Sequence, residues 1–188
     1  MRLCAPVLGL AVLASLAGAQ GTAPRWRFGV AVAGPADVLD NGGNHVKLAI
    51  GEVVEAARVW PTHSRTTGAL VLRIATSAVN GEMAGTTWNA GRAFIVDLAV
   101  RAEHPAGERG SLFGGVGLSR WTGPSHTAPF TGAAAAQLAV EAGGAVRIGG
   151  GPWDGFATVH LDRFGPDDDR GVLSGSVFRW MVGVRRAY

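Results

Sequence analysis

From Trp26 to the end of the chain, apolar side chains recur at every second position, which is the signature of strands with two unlike faces. Trp26, Phe28, Val30 and Val32 start the pattern. It returns at Leu70, Leu72 and Ile74, at Phe94 to Val100, and at Leu112, Val116 and Leu118. Leu138, Val140, Ala142, Val146 and Ile148 carry it further, followed by Val159 and Leu161 and by Phe178, Trp180, Val182 and Val184. Gly, Pro, Asn and Asp separate these runs, and they supply the backbone geometries of tight turns. An antiparallel all-β meander is the expected fold. The stretch 45–60 fits two templates. Val46, Leu48 and Ile50 alternate as in a strand, whereas Ile50, Val53, Val54 and Ala57 fall on a helical stripe. The strand reading needs a bulge near Gly51 and brings the count to eight, which suits closure into an up-and-down barrel.

Two barrels of that size place their faces oppositely. A soluble, lipocalin-like barrel turns the apolar face inward around a ligand, whereas a membrane barrel turns it toward lipid. The second face here is Gly, Ala and Ser, with long charged side chains among them. Arg27, Arg73, Asp97, Arg101, Glu141, Arg147, His160, Asp162 and Arg179 are expected to form a paired network inside a narrow barrel, where small neighbours leave them room. Trp26, Trp88, Trp121, Trp153, Trp180 and Tyr188 fall near predicted strand ends and are expected in the aromatic girdles of a membrane interface. The runs 134–148 and 178–188 are long enough to cross a bilayer.

Composition narrows the class. Charged residues are 16% of the 188 positions and the net charge is +3, so no dense basic surface for nucleic acid exists. Arg2, an uncharged stretch from Leu3 to Leu16 and Ala17-Gly18-Ala19 read as a cleaved signal peptide, residues 1–19, ahead of a barrel domain spanning 20–188. The one cysteine, Cys4, lies in that leader. No further domain is expected after Tyr188.

The final stretch, Val177 to Tyr188, resembles the closing strand of bacterial outer-membrane β-barrels, with Phe178, Trp180, Val182, Val184 and Tyr188 at the apolar and terminal aromatic places. Arg186 and the use of Tyr depart from that pattern. Together with the leader and the alternation, this is similar to the small eight-stranded outer-membrane barrels of the OmpA/OmpX type. The resemblance implies an outer-membrane location, contact with outer-membrane lipid, and engagement of the barrel-assembly machinery through the last strand. It also implies loops 35–44, 80–87, 122–129 and 165–171 facing outward, nearly as short as the periplasmic turns 61–65, 104–110 and 150–154.

Chemistry-bearing motifs are sparse. His45, His63, His104, His126 and His160 lack ligand spacing, so no metal is expected. His160 and Asp162 share one face and form a candidate pair. Ser64 beside His63 and Ser125 beside His126 would point to opposite faces of a strand, and no G-x-S-x-G elbow occurs, which disfavours a lipid hydrolase. Asp167 to Asp169 lacks the spaced ligands of a calcium loop, and Gly149 to Pro152 reads as a turn. Arg92 lies on the lipid-facing parity near an outer strand end. The expectation is a non-enzymatic envelope barrel without cofactor, structural or surface-binding in role. A soluble periplasmic or secreted carrier of an apolar ligand is the alternative.

Overall fold

The computed structural model describes residues 25–39, 45–62, 65–83, 85–124, 136–164 and 175–188. Nine strands form one antiparallel sheet: β1 (Arg25–Ala33), β2 (Ala36–Leu39), β3 (His45–Pro61), β4 (Thr67–Met83), β5 (Thr86–Ala106), β6 (Gly110–Thr122), β7 (Ala136–Arg147), β8 (Trp153–Phe164) and β9 (Gly175–Ala187). From β2 onward each strand pairs with the next, and β1 pairs with both β3 and β9, so the sheet closes into a ring of eight that leaves β2 outside it. The short β2 follows a break at Gly34-Pro35 and lengthens the wall beside β3. Trp180 fixes that break: its carbonyl accepts the Gly34 N–H at 2.8 Å, and its ring lies where a Gly34 side chain would stand.

The register sets the barrel's shape. Residues level with one another across neighbouring strands run from Arg25 to Val59, Ala69, Arg101, Gly115, Glu141, His160 and Arg179. Met181 pairs with Ala33, so Arg179 comes level with Pro35, ten residues along the chain from the starting Arg25. A stagger of that size over eight strands corresponds to a tilt of roughly 35–45°.

The stretch 45–60 is strand, and its register slips between Leu48 and Gly51 as the alternation required. One extra residue there moves the inward set from Val46 and Leu48 to Val53, Glu55, Ala57 and Val59. A second irregularity, opposite Val79 and Asn80, inserts Ala90 into β5 beside Gly91, whose φ of 123° suits glycine. The expected loop 80–87 is therefore mostly strand, with the turn at Gly85. The expected turn 104–110 tightens to 107–109, because β5 runs to Ala106. Of the expected loop 35–44, residues 36–39 are strand β2, and Thr122 of the expected loop 122–129 still belongs to β6; residues 40–44, 125–129 and 165–171 lie outside the described residues.

The two faces of the wall are inverted relative to a soluble protein. Phe28, Val54, Leu72, Leu98, Leu118, Leu138 and Val182 point outward and are exposed, while Arg73, Asp97, Arg101, Glu141 and Arg179 are buried inside. An apolar exterior around a polar interior is the arrangement of a transmembrane β-barrel.

Candidate functional site: the charged lumen and its mouths

Among the described residues, five arginines and five carboxylates pair inside the lumen in three tiers. In the tier farthest from the turn at 107–109, Arg179 on β9 donates from Nε to Asp162 Oδ2 at 2.5 Å and from Nη2 to Asp97 Oδ1 at 2.9 Å. Its guanidinium lies 5.4 Å from the Trp121 ring centre, and the indole N–H is held by Ser119 Oγ at 3.0 Å. In the middle tier, Arg73 Nε donates to Glu55 Oε2 and Arg101 Nε to Glu141 Oε1, both at 2.7 Å. Arg73 Nη1 also lies 2.7 Å from Glu141 Oε2, and His160 Nε2 stands 3.7 Å from the same oxygen. In the lowest tier, Glu103 receives Arg27 Nη1 at 2.6 Å, Arg185 Nη2 at 2.7 Å and the Ser111 hydroxyl at 2.6 Å. Phe113 and Phe156 flank Arg185, with ring centres 5.7 and 5.8 Å from its guanidinium carbon.

Small residues make this packing possible. A Cβ on Gly115 would come within 2.8 Å of Glu141 Oε1, and one on Gly143 within 2.6 Å of the Phe113 ring. A void of about 10 Å³ beside Arg73, Asp97 and His160 has room for about one water. Among the described residues the mid-lumen is therefore filled by its own side chains.

Of the residues expected in the network, Arg27, Arg73, Asp97, Arg101, Glu141, His160, Asp162 and Arg179 come together in it. Arg147 does not. It has the inward parity but stands beyond the last packed layer, with its side chain 61% exposed and Asp154 at 3.8 Å. Among the described residues His160 and Asp162 do not pair: both Asp162 oxygens accept from Arg179, and His160 turns toward Glu141. Glu55, Glu103 and Arg185 belong to the network without having been anticipated. Glu103 shares the parity of Asp97 and Arg101, and Arg185 that of Arg179, so the sequence carried a signal for both. Glu55 was hidden by the bulge.

The aromatic assignment needs two corrections. Trp121 is fully buried and points inward over Arg179, on the parity of Ser119. Trp88 is exposed, yet its ring covers Gly81 on the face of buried Val46, because the Ala90 insertion reverses the alternation. The others face outward. At the end where β1 begins and β9 ends, Trp26 stacks on Phe28 at 6.0 Å, and Phe28 meets Tyr188 edge-on at 5.8 Å. Arg186 lies 5.7 Å from the Trp153 ring and 4.9 Å from that of Tyr188, which gives this departure from the closing-strand pattern a place in the girdle. Phe178, Trp180, Val182 and Val184 are exposed along β9.

No family model and no curated protein matches this chain. Solved structures do. Ail of Yersinia pestis in a phospholipid nanodisc superposes with a TM-score of 0.55 at 15% identity, covering 88% of this chain and all of that one. Neisserial surface protein A gives 0.54 at 11% identity over 87% and 97% of the two chains. OprG of Pseudomonas aeruginosa gives 0.50 at 14%, over 88% and 95%. The fold is that of the small outer-membrane barrels. At these identities the likeness speaks for architecture, and it agrees with the inverted faces read from the wall itself.

The small barrel has two unlike mouths. Beyond the apolar exterior, the ends of β3, β4 and β5 farthest from the turn at 107–109 carry Lys47, Asn80, Glu82, Thr87 and Asn89 around a shallow hollow of about 360 Å³. The hydrogen bond from Lys47, and then its charge, hold the Glu82 carboxyl below its ordinary range. Just below, Arg92 reaches Thr76 Oγ1 at 3.3 Å and Glu52 at 3.9 Å on the outward face. The opposite mouth, bounded by the turn at 107–109 and by Arg65, Thr67, Arg147 and Asp154 at the neighbouring strand ends, holds a polar hollow of about 230 Å³. Of the remaining histidines, His45 meets Asp37 at 3.0 Å and His104 meets Thr66 at 3.2 Å. His63, Ser64, Ser125, His126 and the Asp167–Asp169 run lie outside the described residues.

Proposed function

We propose that this chain is an integral protein of the bacterial outer membrane, non-enzymatic, that acts through its two ends and not through its lumen. The observation that carries the reading is the wall itself: large apolar side chains outside, and mutually neutralised arginines and carboxylates packed inside. Outer-membrane lipid is the partner of the exterior. The exposed row Phe178, Trp180, Val182, Val184 and Tyr188 is the segment offered to the assembly machinery. The turns at 107–109 and 148–152 are short, as periplasmic turns are, so the opposite ends of β3, β4 and β5 face the cell's surroundings.

Membrane fractionation tests this directly. The protein is expected to resist carbonate and urea extraction and to migrate differently on a gel before and after boiling. Lys47 is the only lysine in the chain. An amine reagent that cannot cross the membrane is therefore expected to label whole cells carrying the wild type and not those carrying Lys47→Arg. Recovery in the soluble fraction would sink the proposal and favour a carrier of apolar ligands.

A further inference from the structure

The mouth next to the short turns has cations that the network leaves unused. Arg27 and Arg185 are spent on Glu103, and Arg185 Nε also approaches Asp154 at 3.5 Å. Arg65 and Arg109 also line the cavity, and among the described residues neither makes an ion pair. Arg147 completes the group, its one ion-pair partner among the described residues being Asp154 at 3.8 Å. The Arg147 N–H donates to the Arg109 carbonyl at 2.8 Å, which sets these two arginines side by side on the rim. Glu108 stands on the same rim, exposed and likewise without an ion-pair partner among the described residues. The floor offers the Ser111 hydroxyl, already turned to Glu103, and the Thr67 hydroxyl.

We infer that this mouth is a binding site for a short peptide bearing carboxylates and a free amine, the chemistry of the peptides that cross-link a bacterial cell wall. Three guanidiniums around a polar hollow match carboxylates through charge-assisted, bidentate hydrogen bonds. The carboxylate of Glu108 on the same rim offers an acceptor that a ligand with a free amine can use and a bare phosphate cannot. A cavity of about 230 Å³ admits one or two residues of such a peptide and not a folded partner. The inference rests on the orientation proposed above, which turns this mouth toward the periplasm. It gives the barrel a wall-facing contact in addition to its membrane-facing one.

The test uses the full chain, refolded in detergent, with purified protein-free wall sacculi in a pelleting assay and a soluble wall tetrapeptide in calorimetry. The wild type is expected to co-sediment and to bind the tetrapeptide. The triple variant R65Q/R109Q/R147Q is expected to lose roughly tenfold or more in affinity, with its heat-dependent gel shift unchanged. Blocking the peptide's carboxylates as methyl esters is expected to abolish binding. Acetylating its amine is expected to weaken binding to the wild type and to leave Glu108→Gln indifferent. Absence of wild-type binding overturns the site, and so does a triple variant that binds as the wild type does. Inorganic phosphate competing as well as the tetrapeptide overturns the ligand assignment. A protein that shows the gel shift but binds nothing refutes this site alone, whereas a soluble protein refutes the membrane reading.

Discussion

The lumen is built on two plans. Toward the end remote from the turn at 107–109 it is apolar, with Val38, Val46, Leu48, Val79 and Ile95 clustered with Trp121. From Arg179 down to Glu103 it is ionic. The apolar end follows from hydrophobic burial and tolerates imperfect geometry. The ionic part is different: removing charges from water costs several kcal/mol each, and only complete pairing offsets it. One end of the barrel is thus stabilised by area, the other by complementarity, and the two respond differently to substitution.

The largest effect is expected from orphaning charges. Arg179→Met strands Asp97 and Asp162 in the lumen and should lower stability by about 3–5 kcal/mol, read from urea unfolding in detergent. Adding Asp162→Leu should recover part of that loss, because one stranded charge is then gone. An additive double variant would mean that the pair is not coupled and that the contrast drawn above fails. Ile95→Ala in the apolar end should cost about 2–4 kcal/mol through cavity formation, with no second-site rescue of the same kind. Val79→Thr keeps the shape and adds an unpaired hydroxyl, for about 1–3 kcal/mol. Its loss should exceed that of Val182→Thr on the outer face if water reaches the latter in detergent. Arg147→Gln at the exposed rim should stay within about 0.5 kcal/mol of the wild type, and a larger loss would place this side chain inside the network after all.

Much of the barrel was legible because its signal is simple. Period-2 alternation named the strands, and the pairing of small with charged residues on one face identified the interior. What escaped has physical causes. A single inserted residue reverses every side chain beyond it, so Ala90 sent Trp88 to the wrong face and the slip near Gly51 concealed Glu55. Trp121 was misjudged for a different reason. Its position near a strand end suggested a girdle, yet its parity with Ser119 already pointed inward, where a tryptophan can cap an arginine. Parity also cannot say where a lumen stops being dry, and Arg147 lies past that limit. Nor does it say which charges meet. Asp97 and Arg179 are 82 residues apart, and only the closed ring brings them into contact.

That last contact has a mechanical meaning. Counting around the ring, β5 and β9 stand diametrically opposed, and Arg179–Asp97 and Arg185–Glu103 span the width between them at 2.9 and 2.7 Å. They act as spokes of a wheel. A hollow tube of eight strands flattens into an ellipse by small twists at each seam, without breaking a single backbone bond. A spoked tube stays round, so lateral pressure from a bilayer meets a rigid cross-section, and what deformation remains is confined to the two rims.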